Sequence, residues 1–401
     1  MPRVAIVASH PVQYQAPWFR ALAREVDLHV FFCHRQTPGG QAAAGFGRAF
    51  DWDVPLLDGY AHDWLANRSP APGVDRFGGC DTPDVRDRLQ AGRFDACIVS
   101  GWYLKSYLQA ARACWALGIP CLFRGDSQLG GSRLKEMGKF IPYRWFLRRA
   151  DAHLYVGHAN RQYLRHYGVD EARLFHVPHA VDNDRFAAAA DDARRSGRAA
   201  ALRRGWGAET ASTVFMFAGK LIPKKRPSDF VRALAALGAA GHDVRGVMVG
   251  SGPLQSELQV EAERGGARVV FAGFQNQTAM PDYYAAADAV VLPSDRRETW
   301  GLVVNEAMAS GLPAIVSDAA GCAADLVVAG RTGFTFALGV VDDLAARMLE
   351  LRQALATDRA SMTAAMAERM VRYSIPAAVR GTLDALSAVA TPRPAELLPS
   401  R

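Results

Sequence analysis

Short apolar runs alternate with amphipathic stretches from one end of the chain to the other, the pattern of strands buried on both faces and joined by helices. In the first half the runs fall at residues 4–8, 28–32, 96–100, 121–124, 152–156 and 173–177. Helical spacing of apolar residues lies between them, for example at 17–25 and 104–117. A second series follows at 213–218, 245–249, 269–271, 289–293 and 314–317. Residues 186–204, between the two series, are rich in Ala, Arg and Asp without a strand signal and read as helix plus linker. The pattern predicts an α/β chain of two tandem doubly wound, Rossmann-like domains, at residues 1–185 and 205–370. Residues 371–390 read as a C-terminal helix, placed back on the first domain, with Pro376 in its first turn.

A length of 401 residues with half of them apolar suits two globular domains and excludes disordered and collagen-like classes. The six cysteines are scattered without C-x-x-C spacing, as expected of buried thiols in a reducing compartment. The longest apolar stretch, around residues 113–123, is far short of the roughly 18 residues of a spanning helix. The opening segment offers only residues 4–8 as an apolar core, which reads as a first strand rather than a signal peptide. The expected location is cytoplasmic, or peripheral on the inner face of the cell membrane.

The net charge of +7 is concentrated. Arg133, Lys135, Lys139, Arg144, Arg148 and Arg149 stand against Glu136 alone, interleaved with Phe140, Ile141, Tyr143, Trp145 and Phe146. A basic, aromatic segment at 133–149 suits an anionic membrane surface, and equally a solvated helix packing its aromatic side on a sheet. The rest of the chain is nearly balanced, which argues against nucleic acid as a partner.

The chemistry concentrates at residues 289–318, AVVLPSDRRETWGLVVNEAMASGLPAIVSD. A buried strand, a polar loop and a helix starting near Gly301 place a helix N-terminus at the carboxyl edge of a sheet. Amide groups around Trp300, Gly301 and Leu302 there make an anion site. Glu298 and Glu306 bracket it. Glu306 lies one turn, about 5.4 Å, beyond Leu302 on the same face, where a carboxylate can accept both hydroxyls of a ribose. The apolar flanks of Glu306 make a buried helix, in which an unpaired carboxylate is costly. The loop AGKLIPKKRP after the first strand of the second half adds Gly219, Lys220 and Lys225, cations suited to two phosphates. VGSGP at 249–253 lacks the third glycine of a dinucleotide fingerprint.

These residues resemble a family. ETWGLVVNEAMASGLPAIVSD is similar to the Glu-x7-Glu signature of retaining glycosyltransferases of family 4, which have the two-domain GT-B architecture. GKLIPKKRP, VGSGP, FAGFQNQTAMPDYYAAADAVVLPSD and SDAAGCAADLVVAGRTGF follow the family's order, and VPHAVDNDRF resembles its VPNGVD-x-x-RF. The resemblance implies that Glu306 binds the donor ribose and that Glu298 contacts the transferred sugar. It implies Lys220 and Lys225 at the diphosphate, with lysine at 220 where the family more often has arginine. Phe274 and Gln275 fall where the family commonly meets the base. Asp126 takes the place of the family's histidine at a first-domain strand end and is a candidate for a sugar hydroxyl. His10, in the loop after the first strand, is either an acceptor-side contact or a capping residue. His179 and Asp182 are expected to shape the hinge.

The activity implied is retaining transfer of a hexose-type sugar from a UDP- or GDP-sugar to a glycan or lipid-linked acceptor. Cell-surface polysaccharide or lipopolysaccharide assembly is the expected setting, with no metal and no further cofactor. Two alternatives stay open: a sugar-nucleotide epimerase of the same architecture, and a non-catalytic sugar-nucleotide-binding scaffold. A metal-dependent single-domain enzyme would use Asp51-Trp52-Asp53, but leaves the second half of the chain without a role.

Overall fold

The buried runs become two parallel sheets, in a computed structural model that describes residues 1–41, 47, 49–130 and 133–390. The first sheet is built from β1 (Arg3–Ala8), β2 (Asp27–Phe32), β3 (Ala61–Trp64), β4 (Ala96–Val99), β5 (Cys121–Gly125), β6 (Ala152–Tyr155) and β7 (Leu174–His176). Its spatial order is β3-β2-β1-β4-β5-β6-β7. The second holds β8 (Thr213–Ala218), β9 (Val244–Val249), β10 (Val269–Gly273), β11 (Ala289–Leu292), β12 (Ala314–Ser317) and β13 (Gly333–Phe336). Its order is β10-β9-β8-β11-β12-β13. Each sheet reverses its winding at its first strand, so the loops leaving β1 and β8 stand at topological switch points, where such sheets bind ligands.

Helices cover both faces of each sheet, which is why the central strands are apolar without alternation. Val4, Ala5, Ile6, Val7 and Ala8 are all fully buried. Each valine or isoleucine among them contributes about 1.5–3 kcal/mol relative to exposure. The two strands that the pattern does not announce lie at sheet edges. β3 alternates exposed and half-buried positions, and β13 opens on a glycine and turns Thr335 to solvent.

The segment 186–204 differs from the linker expected. Helices Asn183–Arg195 and Arg198–Gly205 fill it and pack on the second domain, against helix Met280–Ala286. Phe186, Ala190, Ala193 and Ala199 are buried there, so the small alanines that carry no strand signal serve as a close-packing face. Asp182 caps the first of these helices, accepting from the Arg185 amide at 3.1 Å.

The last helix, Ile375–Ala390, returns to the first sheet and packs on β6, β7 and helix Ala16–Leu22. Ala378, Val379, Ala385 and Leu386 join the core cluster of β1 and β2. A Cβ on Gly381 would lie 2.0 Å from the His176 carbonyl, so only glycine allows this approach.

The halves also meet through residues 50–53. Phe50 packs on Phe274 at 4.3 Å between ring centres, and Asn276 donates to the Asp51 carbonyl at 2.7 Å. The Thr278 amide and hydroxyl both donate to the Asp53 carboxylate. The Asp-x-Asp pair is thus part of an interdomain contact. The basic segment is helix Arg133–Leu147, with Met137, Ile141 and Trp145 exposed at four-residue spacing. The side chains of Arg133, Lys135 and Glu136 lie outside the described residues. Among the described residues no helix is long and apolar enough to cross a membrane.

Candidate functional site

A cleft of about 680 Å³ lies between the carboxyl edges of the two sheets. It is within the usual size of small-ligand sites. The expected donor-side and sugar-side residues all line it: His10 and Asp126 from the first domain, and Gly219, Lys220, Lys225, Phe274, Gln275, Glu298, Trp300, Gly301, Leu302 and Glu306 from the second; Asp182 does not.

The strand–loop–helix unit between β11 and helix Leu302–Ala309 sets its centre. Gly301 turns the chain with φ 111°, and a Cβ there would lie 2.5 Å from Leu292 Cδ2. Glycine is required on both grounds. The turn aims the helix start at the cleft and leaves Glu298 in the preceding loop. Glu298 Oε2 lies 2.5 Å from Lys225 Nζ, with side chains only 11% and 14% exposed. Lys220 stands nearby. Burial, then Lys224 and Lys225, lower its amine to about 8.

The first domain holds the Glu298 loop in place. Gln128 Nε2 donates to the carbonyls of Arg296 and Glu298 at 2.7 and 3.1 Å, and Thr299 Oγ1 donates to Asp126 Oδ2 at 2.8 Å. His179 Nε2 is 3.7 Å from the same carboxylate oxygen. Desolvation would raise the Asp126 carboxyl, but the close His179 ring, the Thr299 hydrogen bond and the charge of Arg124 outweigh it and hold the group at about 2. Burial lowers the His179 imidazole, leaving a neutral ring beside an ionised carboxylate. His179, expected only at a hinge, therefore lies in the cleft itself.

Trp300 enters differently from the expectation that its backbone alone matters. Its indole is buried, donates to Asn305 Oδ1 at 2.8 Å, and packs between His179 and Tyr373. Asn305 in turn donates to the His179 carbonyl at 3.2 Å, tying the helix to the first domain.

Glu306 is 2% exposed and already engaged. Tyr284 donates to Oε2 at 2.6 Å and Gln277 to Oε1 at 3.2 Å. Tyr14, from the loop after β1, adds a further hydrogen bond. Burial raises the carboxyl, while these donors lower it. The three donors leave one lone-pair direction of the carboxylate for a ligand hydroxyl. Tyr14 escapes the sequence reading because its segment carries no motif, and Gln277, Tyr284 and Thr299 lie inside the quoted motifs but nothing in their spacing marks them as facing the cleft.

His10 hydrogen-bonds Ser9 through Nδ1 at 3.0 Å, and burial lowers it to about 4, so it is a neutral donor or acceptor at the cleft wall. Gln275 donates to the Ala272 carbonyl at 2.9 Å. Among the described residues no group of three or more His, Cys, Asp and Glu side chains has the arrangement of a metal site.

Residues 20–185 match the family model described as Glycosyltransferase Family 4, and residues 199–367 the one described as Glycosyl transferases group 1. The D-inositol 3-phosphate glycosyltransferase of Rhodococcus jostii (strain RHA1) is 34% identical over 183 residues, 43% of this chain and 38% of that protein. The GDP-mannose-dependent alpha-mannosyltransferase of Mycobacterium tuberculosis (strain CDC 1551 / Oshkosh) is 34% identical over 256 residues, 61% of each chain. The chain spans about two fifths of the length of the first curated relatives it matches. Among solved structures, Anabaena Alr3699/HepE in complex with UDP and glucose superposes with a TM-score of 0.69 at 18% identity, covering 96% of this chain and all of that one. At that identity the likeness is one of fold.

Proposed function

We propose that this chain, which belongs to the family 4 glycosyltransferases with two Rossmann-like domains, moves a hexose-type sugar from a UDP- or GDP-sugar to a glycan or glycolipid acceptor with retention of configuration. The observation that carries the reading is the meeting of Lys220, the Lys225–Glu298 pair and Glu306 around one helix start, in a cleft walled by both domains.

In this reading Lys220, Lys225 and the amides near Gly301 neutralise the diphosphate without a metal ion. Glu306, preset by Tyr284 and Gln277, accepts from the ribose. Phe274 and Gln275 border the base. Glu298 faces the sugar, where its charge stabilises the cationic transition state as the bond from anomeric carbon to phosphate oxygen breaks. The acceptor hydroxyl bonds to that carbon on the face the diphosphate leaves, and its proton passes to the departing phosphate oxygen. No general base on the opposite face is needed. Asp126, His10 and His179 lie on the acceptor side.

A lipid-linked acceptor would sit at a membrane surface, and helix Arg133–Leu147 supports that placement. Its exposed Met137, Ile141 and Trp145 stand among Arg144, Arg148 and Arg149, a pairing of apolar and cationic groups suited to anionic lipid. Cell-surface polysaccharide or lipopolysaccharide assembly is the setting this fits.

Proton NMR of fresh product from an α-linked donor tests the stereochemical core of the reading. An α linkage is expected. A β linkage overturns the mechanism.

A further inference from the structure

Between Asp51 and Asp53, which tie the two halves together, stands Trp52. Its segment lies between β2 and β3 of the first domain and is anchored on the second domain at both ends. The Asp51 carbonyl accepts from Asn276 Nδ2 at 2.7 Å, and the Asp53 carboxylate accepts from the Thr278 amide at 3.2 Å and from its hydroxyl. Phe50 meets Phe274 and stands perpendicular to the Trp52 indole, with 5.0 Å between ring centres. Trp52 is half-buried and lines the main cleft together with Phe274 and Gln275.

These anchors fix where along a bound donor the indole stands. Gln277 lies between Asn276 and Thr278 in the chain and donates to Glu306 at 3.2 Å. One loop thus holds both the carboxylate of the ribose site and the Trp52 segment. That loop follows β10, at the edge of its sheet, whereas Lys220 and Gly301 follow β8 and β11 at the centre. A nucleoside diphosphate with its phosphates at the centre and its ribose on Glu306 therefore directs its base toward the β10 edge, where loop and indole meet. The side chains lining the cleft there, Trp52, Phe274 and Gln275, are uncharged and suit a flat, neutral heterocycle. Every base has a π-face, so stacking on an aromatic side chain needs no fixed hydrogen-bond pattern.

We propose that Trp52 forms one wall of the site for the donor's base, which is held between this first-domain indole and the second-domain loop 274–278. This rests on the reading of the cleft as a nucleotide-sugar transferase site, and it adds a first-domain residue to donor recognition. A nucleotide so placed bridges the domains, its phosphates on the second and its base against the first. The bonds of Asp51 and Asp53 then serve binding, because they order the Trp52 segment before the donor arrives and so reduce the entropy lost when it does.

The full chain with fluorotryptophan in place of tryptophan allows a direct test by 19F NMR, the Trp52 signal being assigned by Trp52→Phe. UDP or GDP, whichever calorimetry shows to bind, is expected to shift that signal saturably, and inorganic pyrophosphate is not. Trp52→Ala is expected to weaken the nucleotide by about 5- to 100-fold, the range for losing one stacked base. Pyrophosphate affinity, read by competition against the nucleotide, is expected to stay unchanged. Trp52→Phe keeps a stacking ring and is expected to bind within a few-fold of wild type. Should Trp52→Ala fail to fold, the shift in the unsubstituted chain still decides. The proposal is overturned if a nucleotide that binds leaves the Trp52 signal unmoved, if Trp52→Ala binds it like wild type, or if pyrophosphate is weakened in equal measure, as a loosened interdomain contact alone would do. If neither UDP nor GDP binds the wild-type protein, the transferase reading itself falls, and this inference with it.

Discussion

Glu298→Gln is expected to move nucleotide binding and turnover in opposite directions. The carboxylate lies 2.5 Å from Lys225 Nζ, and both side chains are mostly shielded from solvent. With no diphosphate bound, Lys225 therefore spends its charge on Glu298. Glutamine preserves the volume and removes the negative charge. A charged hydrogen bond is worth roughly 1.5–3 kcal/mol, and only part of that is lost to sharing, so nucleoside-diphosphate affinity should rise by up to about tenfold. The same change removes the group facing the sugar's developing positive charge. Loss of one preorganised electrostatic partner costs about 2.7–4 kcal/mol in the transition state, or roughly 10²–10³ in kcat. Calorimetry with UDP and GDP gives the first quantity. Hydrolysis of the matching nucleotide sugar gives the second without the acceptor being known. Wild-type turnover in the variant, or a loss expressed wholly as weaker nucleotide binding, would show that Glu298 serves only to anchor Lys225.

Donor affinity should depend on pH through Lys220. Its amine sits at about 8 in the free protein and is raised when a diphosphate binds, so affinity is full below pH 8 and falls by at most about tenfold per unit as the pH rises through it; a flat profile from pH 7 to 9.5 removes Lys220 from the diphosphate. Glu306→Gln should weaken UDP or GDP binding by roughly 1.5–3 kcal/mol in the presence of EDTA, while leaving an acceptor for Tyr284; equal affinities in calorimetry would take Glu306 out of the ribose site. Gly301→Ala should lower stability by about 1–3 kcal/mol, measured by urea unfolding, because its φ and the Leu292 contact both oppose a Cβ. Reversing Arg144, Arg148 and Arg149 to Glu should abolish sedimentation with anionic liposomes at low salt, and a wild-type protein that ignores such liposomes refutes the membrane placement.

The Glu298–Glu306 unit is legible in the sequence because its geometry is local. One strand, one loop and one helix turn fix both carboxylates and the glycine between them. The strands at the sheet centres are legible for a related reason, since burial on both faces leaves an uninterrupted apolar run such as that of β1. β3 and β13 lack that run because an edge strand needs cover on fewer sides. Helices Asn183–Arg195 and Arg198–Gly205 hide because alanine serves a tight interface as readily as an open one. The rest of the site is assembled by tertiary contact. Tyr14 meets Glu306 from 292 positions away in the chain, and Gln128 reaches the Glu298 loop across 170. No local spacing announces either.

The last helix closes the core of a domain whose other parts are made first. During synthesis the sheet β1–β7 leaves the ribosome with the surface destined for Ala378, Val379, Ala385 and Leu386 uncovered. It stays so while some 200 further residues are added, roughly 10–40 s at usual elongation rates. The second domain can finish folding within that interval, and the first cannot. Premature termination just before residue 375 would therefore damage the earlier half of the protein rather than the later one, and a nascent chain paused there presents an apolar sheet face to chaperones.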